Sequence, residues 1–367
     1  MDRVEGGKIS GGQLMAMLVL ARFVPVTIEY PLVTGMKSPR DAWIAALFAS
    51  VLSLLLVILV AHLSLKFPDK TIIEYSQVLL GKHLGKAFGY LLVFYWISVA
   101  ATVARSVGEA YTIAIMPETP ILVFMLVIVF LSANAARNGL EVVARVAEIN
   151  LYVMAFLGLI IIGLPYKLMR FENLLPIMAD GLGPVIEATG VGLSFYAEIM
   201  VLGMMVPYLK RPKDAIRYSI YAVLIAGFTM TIFSISLVAV FGPTVSSLSL
   251  PAFSLGRVIS IGQFLERIEV IPMGAWTITA AVKLALYVWA SAVGLAQLSG
   301  LSRYQSLVYP LGAIAASLGM LFFENFVSLQ LCFRTTWVFF SLTVALSTTL
   351  LLYIVAFMRK SSIGLGG

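Results

Sequence analysis

Charged side chains inside otherwise apolar stretches are the residues of this sequence whose types could do chemistry. Arg22, Glu198 and Lys283 each lie within a long apolar run, and Arg105 and Glu109 lie four residues apart in another such run. Because ionised groups are costly inside a membrane unless they are paired, residues of this kind mark an ion path, a ligand site or a structural salt bridge. The residue types alone leave all three alternatives open.

The spacing of these charges favours different roles. Arg105 and Glu109 share one helical face, so a structural pair between them is one alternative. Arg145 and Glu148, three residues apart at a membrane boundary, are predicted to pair at the interface. Lys283 is too far from either end of its apolar run for its ammonium to reach an interface, so it needs an acceptor within the protein. That acceptor is either a set of backbone carbonyls freed by a helix break, with the ammonium in the place of a coupling cation, or a carboxylate on another helix.

Two apolar segments contain residues that interrupt helices. The first reads LARFVPVTIEYP, in which Pro25 removes a backbone donor, and the second reads EATGVGLSFYAE, in which Gly190 and Gly192 flank Val191. Broken helices leave backbone groups that must line a cavity or meet a ligand. Matching breaks in two halves of a chain indicate a substrate site at the membrane midplane, although glycine pairs also permit close helix packing.

A zwitterionic amino acid suits a pair of broken helices. Its carboxylate can meet the N-terminus of a half-helix while its ammonium meets the freed carbonyls, and aromatic side chains can close over it. The candidate ligand-binding residues are Arg22, Phe23, Val24, Pro25, Thr27, Tyr95, Thr189, Gly190, Gly192, Ser194 and Phe195. The candidate coupling or internal charges are Glu198, Lys283, Arg105 and Glu109.

Membrane-spanning helices must position these residues. The chain is 60% hydrophobic and 12% charged, with a mean hydropathy of +0.99, whereas soluble domains carry about 25% charged residues. A bilayer core needs about 20 apolar residues per helical span, and runs of that length recur along the chain. The predicted fold is therefore an all-α polytopic protein, a single integral membrane domain over residues 1–367. The ten predicted spans cover residues 10–33, 41–63, 87–113, 119–136, 142–164, 182–207, 217–241, 270–297, 303–323 and 335–357.

The ten spans predict a five-plus-five arrangement with both termini on one side. Repeat one covers residues 10–164 and repeat two covers residues 182–357, with spans 1 and 6 broken. The loops on the terminal side carry 14 Lys and Arg residues against seven on the other side, which places both termini in the cytoplasm. We also expect an amphipathic surface helix at residues 71–84 and an outer cap with a helix at residues 242–270.

Several classes of function lack any signal in the sequence. The single cysteine, Cys332, has no partner for a disulfide or a thiolate metal site. Membrane topology explains the net charge of +7 better than nucleic-acid binding does. No Walker loop, HExxH motif or nucleophile set is present, so we predict neither an enzyme nor a bound metal or cofactor.

Several strings in this order and spacing resemble those of the spore-germination permease family, over nearly the whole chain. This family supplies the B subunit of germinant receptors and lies within the amino acid, polyamine and organocation superfamily. The strings are KISGGQ from Lys8, DAWIAAL from Asp41, FPDKTIIEYSQVLLGKHLGK from Phe67, MPETP from Met116, NGLEVVARVAEI from Asn138, NLLPIMADGLGP from Asn173, and a span 8 containing Trp276 and Lys283.

The resemblance implies a function as well as a fold. It implies a ten-helix inverted repeat in the inner membrane of a spore, partner A and C subunits, and a small nutrient such as an amino acid bound where helices 1 and 6 unwind. Glu198 and Lys283 match the family's acidic position in helix 6 and its lysine in helix 8. One departure is that related permeases place glycine in the helix 1 break, whereas this chain has none between Gly12 and Gly35. A secondary amino acid transporter, proton-coupled through Glu198 or Lys283, and a water or ion conduit are the alternative functions.

Overall fold

The structure is a computed structural model that describes residues 5–29, 39–258 and 270–359. Its architecture over these residues is α-helical. The helices are α1 (Gly11–Glu29), α2 (Ala42–Leu65), α3 (Ile72–Leu80), α4 (Lys82–Ala114), α5 (Ile121–Arg137), α6 (Leu140–Gly163), α7 (Leu182–Ala197), α8 (Leu202–Met205), α9 (Asp214–Phe241), α10 (Pro251–Val258), α11 (Val270–Ser299), α12 (Gln305–Phe322), α13 (Phe326–Arg334) and α14 (Thr336–Met358).

The helices confirm the predicted fold class. Among the described residues, eight segments are long and apolar enough to cross a membrane, and two shorter apolar helices at Gly11–Val24 and Ile121–Arg137 correspond to predicted spans 1 and 4. Burial differs widely between them, because 89% of the apolar stretch in the Leu182–Tyr208 segment is buried and only 17% of that in Leu140–Leu168. Span 6 is therefore central, while α6 lies at the periphery.

Span 6 is a composite of four helical pieces. After α7, residues Glu198–Val201 form a 3-10 turn, α8 follows, and a second 3-10 turn covers Val206–Tyr208. The interruption thus begins at Glu198 and not at the predicted glycines, which both lie inside α7. Gly192 has a packing role, because a Cβ built there would lie 2.8 Å from the Cβ of Ala49 on α2. The sequence signal at Gly192 therefore reports close helix packing.

Span 1 also differs from its prediction. Helix α1 is continuous from Gly11 to Glu29, so Pro25 does not interrupt it. Proline frees only one carbonyl within a helix, which is a local defect that neighbouring helices can compensate. Near Pro25, Trp276 Nε1 on α11 also donates a hydrogen bond to the Val24 carbonyl over 3.2 Å, whereas the carbonyl that Pro25 itself frees is that of Ala21.

Three short helices lie between the spans. The capping box of Thr71 and Glu74 starts α3, which lies in the predicted amphipathic segment and buries its apolar face against the protein through residues such as Tyr75. Helix α10 forms within the predicted cap. Helix α13 was not predicted, because its nine residues are too few for a span and it lies between two longer apolar runs.

The two ends of the helix bundle are closed by different segments. At the N-terminal end, Ile9 pairs in parallel with Leu209, through bonds of 2.9 Å from the Ile9 N–H to the Tyr208 carbonyl and from the Lys210 N–H to the Ile9 carbonyl. At the opposite end, an oxygen of Asp41 accepts a hydrogen bond from a backbone N–H in the segment before α7. The N-terminal segment is thus held against the end of span 6, whose other part lies at the centre of the bundle.

Candidate functional site

A buried carboxylate between two cations lies where α1, span 6 and α11 meet. Arg22 Nη2 and Lys283 Nζ each lie 2.8 Å from the same oxygen, Oε2 of Glu198. The three side chains are 5%, 1% and 1% exposed, respectively. The structure therefore brings together one predicted ligand residue and two predicted internal charges in a single cluster, named here the charge cluster.

Tyr287 fixes the backbone at the point where span 6 changes its winding. It lies one helical turn after Lys283 on α11, and its hydroxyl donates to the Glu198 carbonyl over 3.1 Å and lies 3.4 Å from Glu198 Oε2. A side chain of α11 thus meets a backbone carbonyl of the 3-10 turn. Of the two arrangements predicted for Lys283, the structure shows the salt bridge to another helix.

Beside the charge cluster lies a small cavity lined by two side chains, Arg22 and Tyr196, each of which has a buried polar atom without a hydrogen bond. Arg22 Nη1 and Tyr196 Oη are both buried and make no hydrogen bond in the structure. The Arg22 guanidinium lies over the Tyr196 ring, 5.6 Å from its centroid. The cavity has a volume of about 20 Å³, close to the space for one water molecule. Its lining residues are Arg22, Ala46, Ala49, Gly192, Phe195, Tyr196 and Met230.

A second, apolar cavity adjoins the first. Its volume is about 100 Å³, and its walls come from α1, α6, α9, α10 and α11. Phe23, one of the predicted ligand residues, lines this cavity together with Met154 and Trp276. Met230 lines both cavities, so the two cavities share this side chain.

Two of the predicted aromatic residues, Tyr95 and Phe195, lie in a cluster that includes α13 and α14. Tyr95 Oη lies 2.6 Å from Ser341 Oγ, which in turn donates to the Ser194 carbonyl over 2.7 Å. The Phe195 ring is 5.2 Å from that of Phe333 on α13. Tyr95 and Phe195 therefore join α4 and α7 to the segment after α12.

The other predicted ligand residues do not reach the charge cluster. The hydroxyls of Thr189 and Ser194 donate to carbonyls of their own helix, at Val185 and Val191, over 2.7 Å each. A Cβ at Gly190 would meet nothing within 4 Å. Pro25 and Thr27 are two further predicted ligand residues, and their side chains lie outside the part of the chain that the structure describes.

Arg105 and Glu109 are separate from the charge cluster and pair with each other. Arg105 Nη2 lies 2.6 Å from Glu109 Oε1, and both side chains are buried. They line another cavity, which opens beside Glu118 and Glu324. The geometry favours the structural alternative for this pair.

The predicted interfacial pair of Arg145 and Glu148 is wrong. Arg145 pairs with Glu141 at 2.6 Å, while Glu148 accepts a hydrogen bond from Gln13 Nε2 over 3.1 Å. Side chains on a helix lean toward its N-terminus, which brings Arg145 over the preceding turn.

Glu5 is a buried acidic residue that the sequence did not reveal. Its Oε2 accepts hydrogen bonds from Trp289 Nε1 at 3.0 Å, Tyr304 Oη at 2.9 Å and the Leu140 N–H at 3.3 Å. Its Oε1 accepts from the Gly7 N–H at 2.8 Å. In the sequence, a glutamate just before the first span looks like a solvent-exposed flanking residue. Its partner Trp289 lies 284 residues away in the chain, so no local pattern reveals the contact.

Comparison with known proteins identifies the family. A family model described as "Spore germination protein" matches residues 8–327. The chain belongs to the spore germination protein family. Spore germination protein KB of Bacillus subtilis (strain 168) is 28% identical over 329 residues, which cover 88% of this chain and 87% of that protein. Spore germination protein A2 of the same organism is 28% identical over 287 residues, 77% of this chain and 78% of that protein. These matches confirm the predicted family.

Solved transporter structures share the fold of this spore germination protein. MhsT, solved in complex with L-phenylalanine, has a TM-score of 0.67 at 12% identity, with 96% of this chain and 100% of that chain covered. A Na⁺-coupled sialic acid symporter has a TM-score of 0.68 at 12% identity, with 95% and 79% covered. These similarities show the fold, while the family match and the apolar helices show a multi-pass integral membrane protein.

Proposed function

We propose that this protein is the membrane subunit of a spore germinant receptor. It binds a small nutrient, an amino acid, where α1, span 6 and α11 meet, and the binding triggers germination. Its partners are the A and C subunits of the receptor in the inner spore membrane, and both of its termini face the cytoplasm. The family match supports the receptor role, and the charge cluster supports the position of the site.

The charge cluster is the observation that carries this proposal. Charges inside a bilayer are rare and mark functional sites by default. The ion pair of Arg22 and Glu198 joins residues 176 apart in the chain, and Lys283 adds a third element. A ligand that binds next to these charges would alter how three helices are held together. Such a ligand shifts a conformational equilibrium if it binds one arrangement of the helices more tightly than the other.

Two observations support an amino acid as the nutrient. MhsT, which shares the fold, was solved in complex with L-phenylalanine. In this chain, the polar cavity beside Arg22 adjoins an apolar cavity lined by Phe23 and Trp276. A molecule with a charged group and an apolar side chain matches both surroundings.

A thermal-shift screen of the detergent-purified protein against the common amino acids tests the proposal. One or a few amino acids should stabilise the protein, by about 2.7 kcal/mol at a concentration 100 times their Kd. Gly192→Ala should reduce this effect, because its methyl group would press on Ala49 at the wall of the polar cavity. Gly190→Ala is the matched control, since its methyl group meets nothing within 4 Å. Folded protein that no amino acid stabilises, or equal responses from both variants, would contradict the proposed site.

The second candidate function is a secondary amino acid transporter, proton-coupled through Glu198 or Lys283. The fold shared with a Na⁺-coupled symporter favours it. A water or ion conduit within the receptor is a third. Proteoliposomes with an imposed gradient separate them, because a transporter accumulates labelled amino acid, whereas a receptor subunit binds it without net uptake. Co-purification of the A and C subunits from gently solubilised spore membranes tests the partners.

A further inference from the structure

Two basic side chains of α2 meet a tyrosine of α14 on the surface of the bundle. His62 lies in the last turn of α2, and Lys66 follows it by one helical turn. The Tyr353 hydroxyl lies 3.2 Å from His62 Nδ1, and the Lys66 ammonium lies 5.2 Å from the centre of the Tyr353 ring. His62 is exposed, while Lys66 and Tyr353 are half-buried. These three side chains form one polar group, named here the surface triad.

The surface triad offers hydrogen-bond donors and positive charge to a ligand. Among the described residues, no carboxylate pairs with the Lys66 ammonium, which carries three N–H donors. The contact between Tyr353 and His62 uses one donor, and either tautomer of a neutral imidazole leaves the pair with another, on Nε2 or on the hydroxyl. The C-terminal ends of α2 and α14 and the loop after α2 together carry three Lys and Arg residues against one acid, Asp69. The surroundings therefore favour an anionic group that accepts hydrogen bonds.

An exposed apolar stripe runs along α2 up to the surface triad. Val51, Leu55 and Ile58 precede His62 at spacings of three and four residues, so they share its helical face. Their side chains are 51%, 67% and 39% exposed. The rise from Val51 to His62 is about 16 Å, and one leaflet contributes about 15 Å to the hydrocarbon core of a bilayer. The stripe therefore has the length of the acyl region of one leaflet.

Helix α14 extends this apolar surface beside α2, against which it packs. Leu346 and Leu350 precede Tyr353 on one helical face and are 45% and 49% exposed. A group of donors at the end of two exposed apolar stripes matches an amphiphile, with its charged head at the surface triad and its chains along the helices. A free inorganic anion would use only the donors.

We propose that the surface triad binds the phosphate of one anionic glycerophospholipid, whose acyl chains lie along α2 and α14. Lys66 donates to a phosphate oxygen in a charge-assisted hydrogen bond, and the remaining donor of the His62 and Tyr353 pair meets the same headgroup. Basic pockets between spanning helices recognise anionic lipid headgroups in this way. A zwitterionic headgroup would bring a cation to a positively charged surface. The site is separate from the buried charge cluster and does not depend on the proposed function.

A lipid at this site contacts two helices that both touch span 6. A Cβ built at Gly192 of α7 would lie 2.8 Å from the Cβ of Ala49 on α2, and Ser341 of α14 donates to the Ser194 carbonyl over 2.7 Å. A lipid that holds the ends of α2 and α14 together therefore supports α7 through both neighbours. Its binding should stabilise the folded bundle.

Thermal unfolding of the delipidated protein in detergent, with native mass spectrometry to count bound lipids, tests the site. The probes are dioleoylphosphatidylglycerol, dioleoylphosphatidylcholine, which has the same chains, and inorganic phosphate, all at constant ionic strength. The variants are Lys66→Gln and Tyr353→Phe, which keeps the ring beneath the ammonium. Arg137→Gln is the matched control, because Arg137 at the end of α5 also lies over a tyrosine ring, 5.3 Å from the centroid of Tyr309.

We expect one phosphatidylglycerol to remain bound per protein and to raise the midpoint of unfolding more than phosphatidylcholine or inorganic phosphate does. Lys66→Gln should weaken the apparent affinity for phosphatidylglycerol about tenfold or more, as for the loss of a hydrogen bond to a charged group. Tyr353→Phe should weaken it less, because the ammonium remains, and Arg137→Gln should leave it unchanged.

Two kinds of result would overturn the site. Equal stabilisation by the two lipids, or equal losses of affinity in Lys66→Gln and Arg137→Gln, would mean that the surface triad selects no headgroup. Stabilisation by inorganic phosphate that equals that by phosphatidylglycerol, and that is lost in Lys66→Gln, would mean that a free anion and not a lipid is the occupant.

Discussion

At the scale of single residues, Glu198 is the side chain on which the charge cluster depends. Both cations contact its Oε2, so Glu198→Gln removes the carboxylate that Arg22 and Lys283 share in the buried cluster. Breaking a buried ion pair in this way costs about 3–5 kcal/mol. Lys283→Met should cost less, because Arg22 and Glu198 remain as a neutral pair. Chemical unfolding in detergent measures both variants, and a larger loss of stability in Lys283→Met would contradict this order.

The candidate site was predictable from sequence only in part. Arg22, Glu198 and Lys283 stood out because a charge in an apolar run is costly, but their mutual contacts depend on how distant helices pack. Glu5 gave no signal, since its aromatic donors are far away in the chain. Sequence also cannot show that Tyr196 Oη lacks a partner. Such properties belong to the packed bundle and not to a local pattern.

At the scale of elements, length and hydropathy predicted the spans, whereas the irregular pieces needed the structure. The winding of span 6 changes at Glu198, where Tyr287 of α11 meets the carbonyl, and not at Gly190 or Gly192. Glycine permits a break but does not require one, and Gly192 instead lets α7 approach α2. Helix α13 depends on contacts such as that between Phe195 and Phe333, which join it to a helix far away in sequence.

The thiol of Cys332 can report on how firmly α13 is held. Cys332 is half-buried, and burial raises the pKa of its thiol, so less of it is reactive thiolate at pH 8 than for a free cysteine. Maleimide labelling should therefore be slow and should accelerate as pH rises. Phe333→Ala removes the contact with Phe195 and should speed labelling several-fold, as measured by mass spectrometry. Phe339→Ala is the control, because Phe339 is exposed on α14. Equal labelling rates in the two variants would show that Phe333 does not hold α13.

At the scale of the whole molecule, the two ends of the bundle are built differently. The N-terminal end is closed by a segment that pairs with the end of span 6, whereas α10 forms part of the wall of the apolar cavity. Span 6 carries both the pairing at Leu209 and the charge at Glu198, so a ligand near Glu198 acts on an element that also closes this end. The division into repeats at residues 10–164 and 182–357 remains a prediction.

We infer that the contacts of Glu5 keep the N-terminal segment paired with the end of span 6, and the Glu5→Gln variant tests this. Its carboxylate accepts from Trp289, Tyr304 and two backbone N–H groups. Burial together with the Glu5 charge raises the pKa of Tyr304, so this hydroxyl, already protonated at neutral pH, stays protonated and donating into the alkaline range. Glu5→Gln retains the shape but places an amide N–H₂ among donors. Hydrogen exchange at the bridging amides of Ile9 and Lys210 should then accelerate about tenfold or more, the effect of a lost hydrogen bond to a charged group.

The amides of α14 provide the internal control for this measurement, because α14 is long and apolar enough to span a membrane and none of its described hydrogen bonds joins it to Glu5, Trp289 or Tyr304. Faster exchange confined to Ile9 and Lys210 would mean that the N-terminal segment opens locally while the bundle stays folded. Such opening would expose the end of span 6 at Tyr208 and Leu209 and thereby weaken the constraint on the charge cluster. Unchanged exchange at both amides would mean that the backbone pairing with Leu209 closes this end without Glu5.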